Sequence, residues 1–305
     1  MLPKTSFICH YALPAANGHG QSPRAHRAAK RRRPLTQHAT FLVLAARSPA
    51  EPHAQQAICS ALAGVSGLAK NVAMRDLDAR FSCTLLDSLG RGEDSVVEVV
   101  DETVGFRYFD ARDLLGFVDG TANPVGAALP ASVLVEESDV LPVKDGGNED
   151  ASDTDFAAAS AAVGGSYVVV QKYVHDMARW NALSTEQQES VIGRTKLANE
   201  ELDDATALAQ KAHKTLTTIV DEQTGEEHGI LRDNMPFGSP GAEQFGTYFI
   251  GYSRRLWVVE KMLERMFIGV PHGMHDRILD YSMALTGTTF FAPSAGFLES
   301  LDVHG

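Results

Sequence analysis

Cysteine is scarce in this chain. Its 305 residues hold three, Cys9, Cys59 and Cys83, an odd number with no CxxC pair. That excludes a disulfide framework and points to a reducing compartment. Long apolar runs are also lacking: the longest, Phe41 to Ala46, is the length of a strand, so no membrane span is expected. No GxGxxG follows a strand, and there is no Walker lysine, HExxH or GxSxG elbow. His272 and His275 lie three apart but lack a third ligand nearby, which argues against a zinc site.

Acidic side chains are absent from residues 1–50, which carry eight basic ones: Lys4, Arg24, Arg27, Lys30, Arg31, Arg32, Arg33 and Arg47. Residues 51–305 then hold 39 acids against 19 bases, a balance of -20 within a total of -12. So acidic a body repels phosphate backbones, which excludes nucleic acid as a partner. The basic N-terminus lacks the apolar core of a secretory signal, and the arginines at 31–33 are not followed by an export sequence. The expected location is cytoplasmic, with organelle targeting by this transit-peptide-like segment as the alternative.

What is present is an α+β pattern. Residues 1–36 show no apolar periodicity and read as a disordered basic tail. Ala39–Ala46 reads as a buried strand, and Pro52–Val72 as a helix with Ala57, Ile58, Leu62 and Val65 on one face. Arg80–Leu86 and Ser95–Val104 are further strand candidates. Residues 136–163 form an acidic linker, with eight acids and one lysine between Glu136 and Asp155. Beyond it come strand candidates at Tyr167–Val174, Leu216–Val220 and Gly246–Tyr252. Ser184 and Gln187 make a capping box. Leu256, Val259, Leu263, Met266 and Phe267 mark a helix face, and Phe290 and Phe291 a last short strand. The domains expected are therefore 37–135 and 164–305, two successive α+β halves.

Three features could carry chemistry. Asp119 lies between glycines in an apolar context, as a turn former or as a buried carboxyl able to move a proton. Arg232 and Asn234 sit two apart on an extended segment, so both can face one cavity. His213 is one of eleven histidines. Residue chemistry alone leaves these three unconnected.

Together with their surroundings they resemble a known family. GFVDGTANP at 116–124, IGRTK at 192–196, the His213 segment, ILRDNMPFG at 230–238, GTYFIGY at 246–252 and TGTTFFAPS at 286–294 are similar to the dye-decolourising peroxidases. The resemblance covers most of 37–300. It implies two ferredoxin-like halves, each an antiparallel sheet with helices, the first truncated because Asp87-Ser88-Leu89-Gly90 follows Leu86 where family members carry a further strand and helix. It implies one haem b per chain, with His213 as the proximal iron ligand and His228 as a competitor too near Arg232 to serve the opposite face. Asp276 would hydrogen-bond the proximal imidazole and Arg194 would meet a haem propionate. Asp119, Arg232 and Asn234 would line the distal face as the catalytic residues. Hydrogen peroxide would be reduced, dyes or other bulky reductants and small aromatic ones would be oxidised, a homo-oligomer is compatible, and electron relay through Trp180, Trp257 or Tyr252 competes with simple core packing. A non-catalytic haem-handling protein or a degenerate family member is the alternative.

Overall fold

The computed structural model describes residues 6–9, 38–48, 50–71, 87, 89–90, 94–140, 161–206 and 208–300. In chain order the first half gives β1 (Ser6–Cys9), β2 (His38–Ala46), α1 (Pro52–Asn71) and β3 (Val97–Phe106). Two short helices follow, α2 (Ala128–Val133) and α3 (Glu137–Val140). The second half opens with β4 (Ser166–His175), α4 (Met177–Asn181), α5 (Thr185–Ile192) and α6 (His213–Leu216). Then come β5 (Ile219–Val220), β6 (Glu227–His228), β7 (Leu231–Arg232), β8 (Met235–Ser239) and β9 (Gln244–Ser253). The chain ends in α7 (Leu256–Phe267), β10 (Ser282–Ala292) and α8 (Ala295–Ser300).

Eight of the ten strands form one sheet in the order β1-β2-β3-β8-β9-β4-β10, with β7 also on β9, and β5 and β6 pair separately. Every pairing in it is antiparallel. The second half is a β-α-β-β-α-β unit built from β4, α5, β8, β9, α7 and β10, the ferredoxin-like arrangement. The halves meet where Gly105 of β3 pairs with Phe237 of β8. Phe41 of β2 stacks on Tyr248 of β9 with centroids 4.1 Å apart, inside a core shared with Val168, Val170, Met235, Phe237 and Ile250.

Alternation along β4 decides where the cavity lies. Val168 and Val170 enter the shared core, while Val169 packs under α7 against Val258, Val259 and Met262. On that second face, further along the strand, Gln171, Tyr173 and His175 follow at two-residue spacing and line a cavity. The sheet is thus apolar on one face and turns polar on the other where a ligand pocket opens.

Most expected elements recur within a residue or two, including the capping box: Ser184 Oγ accepts from Gln187 N–H, and Gln187 Oε1 from Ser184 N–H. Four readings change. Ser6–Cys9, inside the segment read as a tail, forms β1 and pairs with β2, whose edge would otherwise leave its backbone groups unpaired. Leu216 belongs to the one-turn helix α6, and only Ile219–Val220 is extended, because a short apolar run does not distinguish strand from helix. The buried face of α7 is Val258, Val259, Met262 and Met266, while Phe267 is 43% exposed. The last strand spans eleven residues, the threonines and glycine of its outer half having hidden its period. The strand candidate Arg80–Leu86 and most of the acidic linker lie outside the described residues. Among the described residues no helix is long and apolar enough to cross a membrane.

Candidate functional site

A cavity of about 690 Å³ lies between the polar face of the sheet, α6 and α7. Its size is within the range of small-molecule and cofactor sites. Asp119, Arg232, Asn234, His213 and Arg194 all line it. These five residues come from a loop, β7, the two-residue link between β7 and β8, α6 and the turn after α5.

His213 is the first residue of α6, and its Nδ1 lies 2.6 Å from Asp276 Oδ2. Asp276 is fully buried. Its Oδ1 caps the next 3-10 turn by accepting Ile278 N–H at 3.0 Å, and its own N–H donates to Met266 O at 2.7 Å. The carboxylate is therefore fixed at both ends and holds the imidazole with Nδ1 protonated. Nε2 makes no hydrogen bond to any described residue and is left as an electron-pair donor in the cavity wall. A carboxylate–histidine pair of this kind is the usual support of an axial metal ligand. His228 also lines the cavity, but its ring packs edge-on against Trp257, centroids 5.0 Å apart.

The second cluster starts from the glycine-flanked loop. Gly116 and Gly120 have φ of +94° and +72°, turns that other residues adopt only with strain. Between them Asp119 N–H donates to Ala111 O, closing the loop on itself. Asp119 Oδ1 accepts Gly120 N–H at 2.7 Å and Asn234 Nδ2 at 3.1 Å. Asn234 Oδ1 in turn accepts Ile250 N–H from β9, which fixes the amide's orientation. Oδ2 of Asp119 has no hydrogen bond to a described residue. Burial raises the Asp119 pKa; the Gly120 N–H, the Arg232 charge, the Asn234 amide and the Arg107 charge pull it down without cancelling that rise.

Arg232 is the complement. Burial lowers the pKa of its guanidinium, while Asp119 and Glu227 hold it up. The guanidinium makes no hydrogen bond to any described residue. A half-buried cation in that state stands ready for a ligand. Its main chain is clamped by Asn123 of the same glycine-containing segment: Nδ2 donates to Arg232 O at 2.7 Å, and Oδ1 accepts Arg232 N–H at 2.9 Å. Asn123→Ala removes both bonds, and urea denaturation is expected to show a loss of about 1–3 kcal/mol.

Arg194 reaches the cavity but is engaged elsewhere as well: Nη1 donates to Asn199 O at 2.8 Å, and Nη2 forms an ion pair with the exposed Glu201. Sequence reasoning did not single out the cavity floor. There His175 lies between Ser282 Oγ (2.8 Å) and Thr247 Oγ1 (2.9 Å), and burial pushes its pKa down to about 4, so it is neutral. Tyr173 OH donates to Gln171 Oε1 at 3.0 Å. Arg107, salt-bridged to Asp233 at 3.3 Å, and Asn123 were also missed. Asn123 could have been found from its place in GFVDGTANP, whereas Arg107 gives no local signal. Of the relay candidates, Trp180 is fully buried core, whereas Trp257 is 44% exposed.

The family described as "Dyp-type peroxidase, C-terminal" matches residues 110–297. The chain belongs to the Dyp-type peroxidase family. It is 53% identical over 224 residues to a dye-decolorizing peroxidase of Rhodococcus erythropolis, covering 73% of this chain and 58% of that protein. The dye-decolorizing peroxidase of Mycobacterium tuberculosis is 49% identical over 216 residues, covering 70% of this chain and 56% of that protein. The chain thus spans a little over half the length of the curated relatives it matches. Among solved structures, DyPB from Rhodococcus jostii RHA1 superposes with a TM-score of 0.72 at 40% identity, covering 88% of this chain and 96% of that one. A variant of the same Dyp-type peroxidase, solved in complex with haem, gives a TM-score of 0.73. The α+β architecture with two antiparallel halves is that of the family.

Proposed function

We propose that this chain is a haem-dependent peroxidase that reduces hydrogen peroxide at the expense of dyes or other bulky reductants. One observation carries the reading: a carboxylate-supported imidazole and a half-buried guanidinium without a hydrogen-bond partner among the described residues line the same cavity. The residues fit haem b. The cavity is large enough, His213 Nε2 would ligate the iron, and Arg194 and Lys214, both ion-paired with the exposed Glu201, line the wall where the propionates would lie.

When bound, haem b supplies the electrons that split the O–O bond and accepts them back one at a time from the reductant. The protein's part is to hold the imidazole and move protons. Asp276 keeps Nδ1 of His213 protonated and strengthens Nε2 as a donor. Asp119, in its carboxylate form, takes a proton from one peroxide oxygen on Oδ2 and delivers it to the other, which leaves as water. Asn234 and the Gly120 N–H hold Oδ1 and so aim Oδ2. Arg232 remains cationic and stabilises negative charge as the bond breaks. The overall balance is one hydrogen peroxide, two electrons and two protons to two waters.

The test is an absorption spectrum of the full-length chain expressed with haem supplied, followed by peroxide and an anthraquinone dye. A Soret band with peroxide-dependent bleaching is the expected result. Haem uptake without turnover would reduce the reading to haem binding, and no Soret band would overturn it.

A further inference from the structure

The distal cluster is tied to the first half of the fold by an ion pair. Arg107 directly follows β3, the strand whose Gly105 pairs with Phe237 of β8. Its Nη2 donates to Asp233 Oδ1 at 3.3 Å, and the two side chains are only 19% and 20% exposed, so water screens the pair little. Asp233 lies between Arg232 and Asn234 in the link between β7 and β8. Those two neighbours line the cavity and Asp233 does not, because alternation turns it to the other side.

The link is held to β9 through Asp233 and Asn234 together. The pairs Arg232 with Gly251 and Met235 with Tyr248 flank it. Between them Asp233 N–H donates to Ile250 O at 3.0 Å, and Ile250 N–H donates to Asn234 Oδ1 at 3.2 Å. A side-chain oxygen thus takes the place of a main-chain carbonyl in the ladder. The same amide donates from Nδ2 to Asp119 Oδ1 at 3.1 Å. The seat of Asn234, and through it the aim of Asp119, therefore depends on how the backbone runs through Asp233, and Arg107 grips that point. Arg107 also pulls the pKa values of Asp233 and Asp119 down, against the burial that raises both.

Resting on the peroxidase reading, we propose that Arg107 is a positioning residue for the distal cluster: its ion pair with Asp233 fixes the link that seats the Asn234 amide and so aims the Asp119 carboxylate. Arg107 itself does not line the cavity. Breaking a shielded ion pair also costs stability, so the experiment must separate aim from stability. Lys172 of β4 supplies the control. Its Nζ lies 2.8 Å from Asp101 Oδ1 of β3, a second ion pair between the halves, and neither residue lines the cavity.

In the full-length chain without haem, the Asn234 side-chain amide is assigned in ¹H–¹⁵N spectra by its loss in Asn234→Asp. Arg107→Gln is expected to shift both amide protons of Asn234 toward those of a free asparagine, and Arg107→Lys, which keeps the charge, to bring them most of the way back. Lys172→Met should lower the melting temperature and leave the Asn234 amide in place. In haem-loaded protein Arg107→Gln should keep its Soret band and slow the peroxide reaction by roughly 10- to 10²-fold, the scale set by a misplacement of about 1 Å. Lys172→Met should react at the wild-type rate. Should Arg107→Gln fail to fold, Asp233→Asn removes the charge, keeps the Asp233 N–H bond to Ile250, and gives the same two readings. An unmoved Asn234 amide overturns the proposal, and so does an equal shift in Lys172→Met, which would mean a general loosening between the halves. The spectra do not depend on haem uptake, so this failure is distinguishable from failure of the peroxidase reading.

Discussion

His213→Ala is expected to leave a folded chain that shows no Soret band when haem is supplied. The imidazole is the only histidine in the cavity wall with a buried carboxylate on one nitrogen and a free second nitrogen among the described residues. His228 is held edge-on to Trp257, and both nitrogens of His175 are occupied by hydroxyls, so neither replaces it. The substitution leaves Asp276 buried without its ring partner, at a cost of about 1–3 kcal/mol. The Ile278 N–H still caps that carboxylate, and circular dichroism should confirm that the fold persists. Retention of a Soret band at wild-type intensity would move the ligand assignment away from His213.

Arg232→Leu is the second large effect. Haem uptake should persist, because Arg232 does not touch the His213–Asp276 pair and its backbone stays clamped by Asn123. The peroxide reaction should slow by roughly 10²–10³-fold, the scale on which loss of one charge-stabilising group in a closed site is felt. Its pH dependence should also change. Arg232 lowers the Asp119 pKa, so its removal raises that pKa further. Asp119 acts as a base only when ionised, so the activity lost on acidification should be lost at a higher pH than in the wild type. Stopped-flow measurement of the peroxide reaction from pH 4 to 8 checks rate and shift together. An unchanged rate would remove Arg232 from the machinery.

Much of this site was legible in the sequence, for identifiable reasons. Arg232 and Asn234 are two apart on an extended segment, and period two put both on the cavity side. Asp119 lies between residues whose positive φ only glycine supplies cheaply, so its motif carried its own geometry. The pairing of Arg107 with Asp233 was not legible. The two are 126 positions apart, and each taken locally is an ordinary surface charge. Only when β3 pairs with β8 do they meet. The α7 stripe was misplaced by one residue because Phe267 is apolar and exposed, and apolarity by itself does not say which side of a helix is covered.

The sequence by itself determined the elements and the chemistry available: strands with period two, an α+β order, a glycine-shaped loop with an aspartate, and an acidic body unsuited to phosphate backbones. Tertiary structure decided what those groups become. It joined two halves into one sheet, turned the face of β4 from apolar to polar where the cavity opens, and brought Asp276 within 2.6 Å of a histidine 63 residues away. The physical reason is that burial and distant charge set the state of an ionisable group, and neither is a local property of the chain.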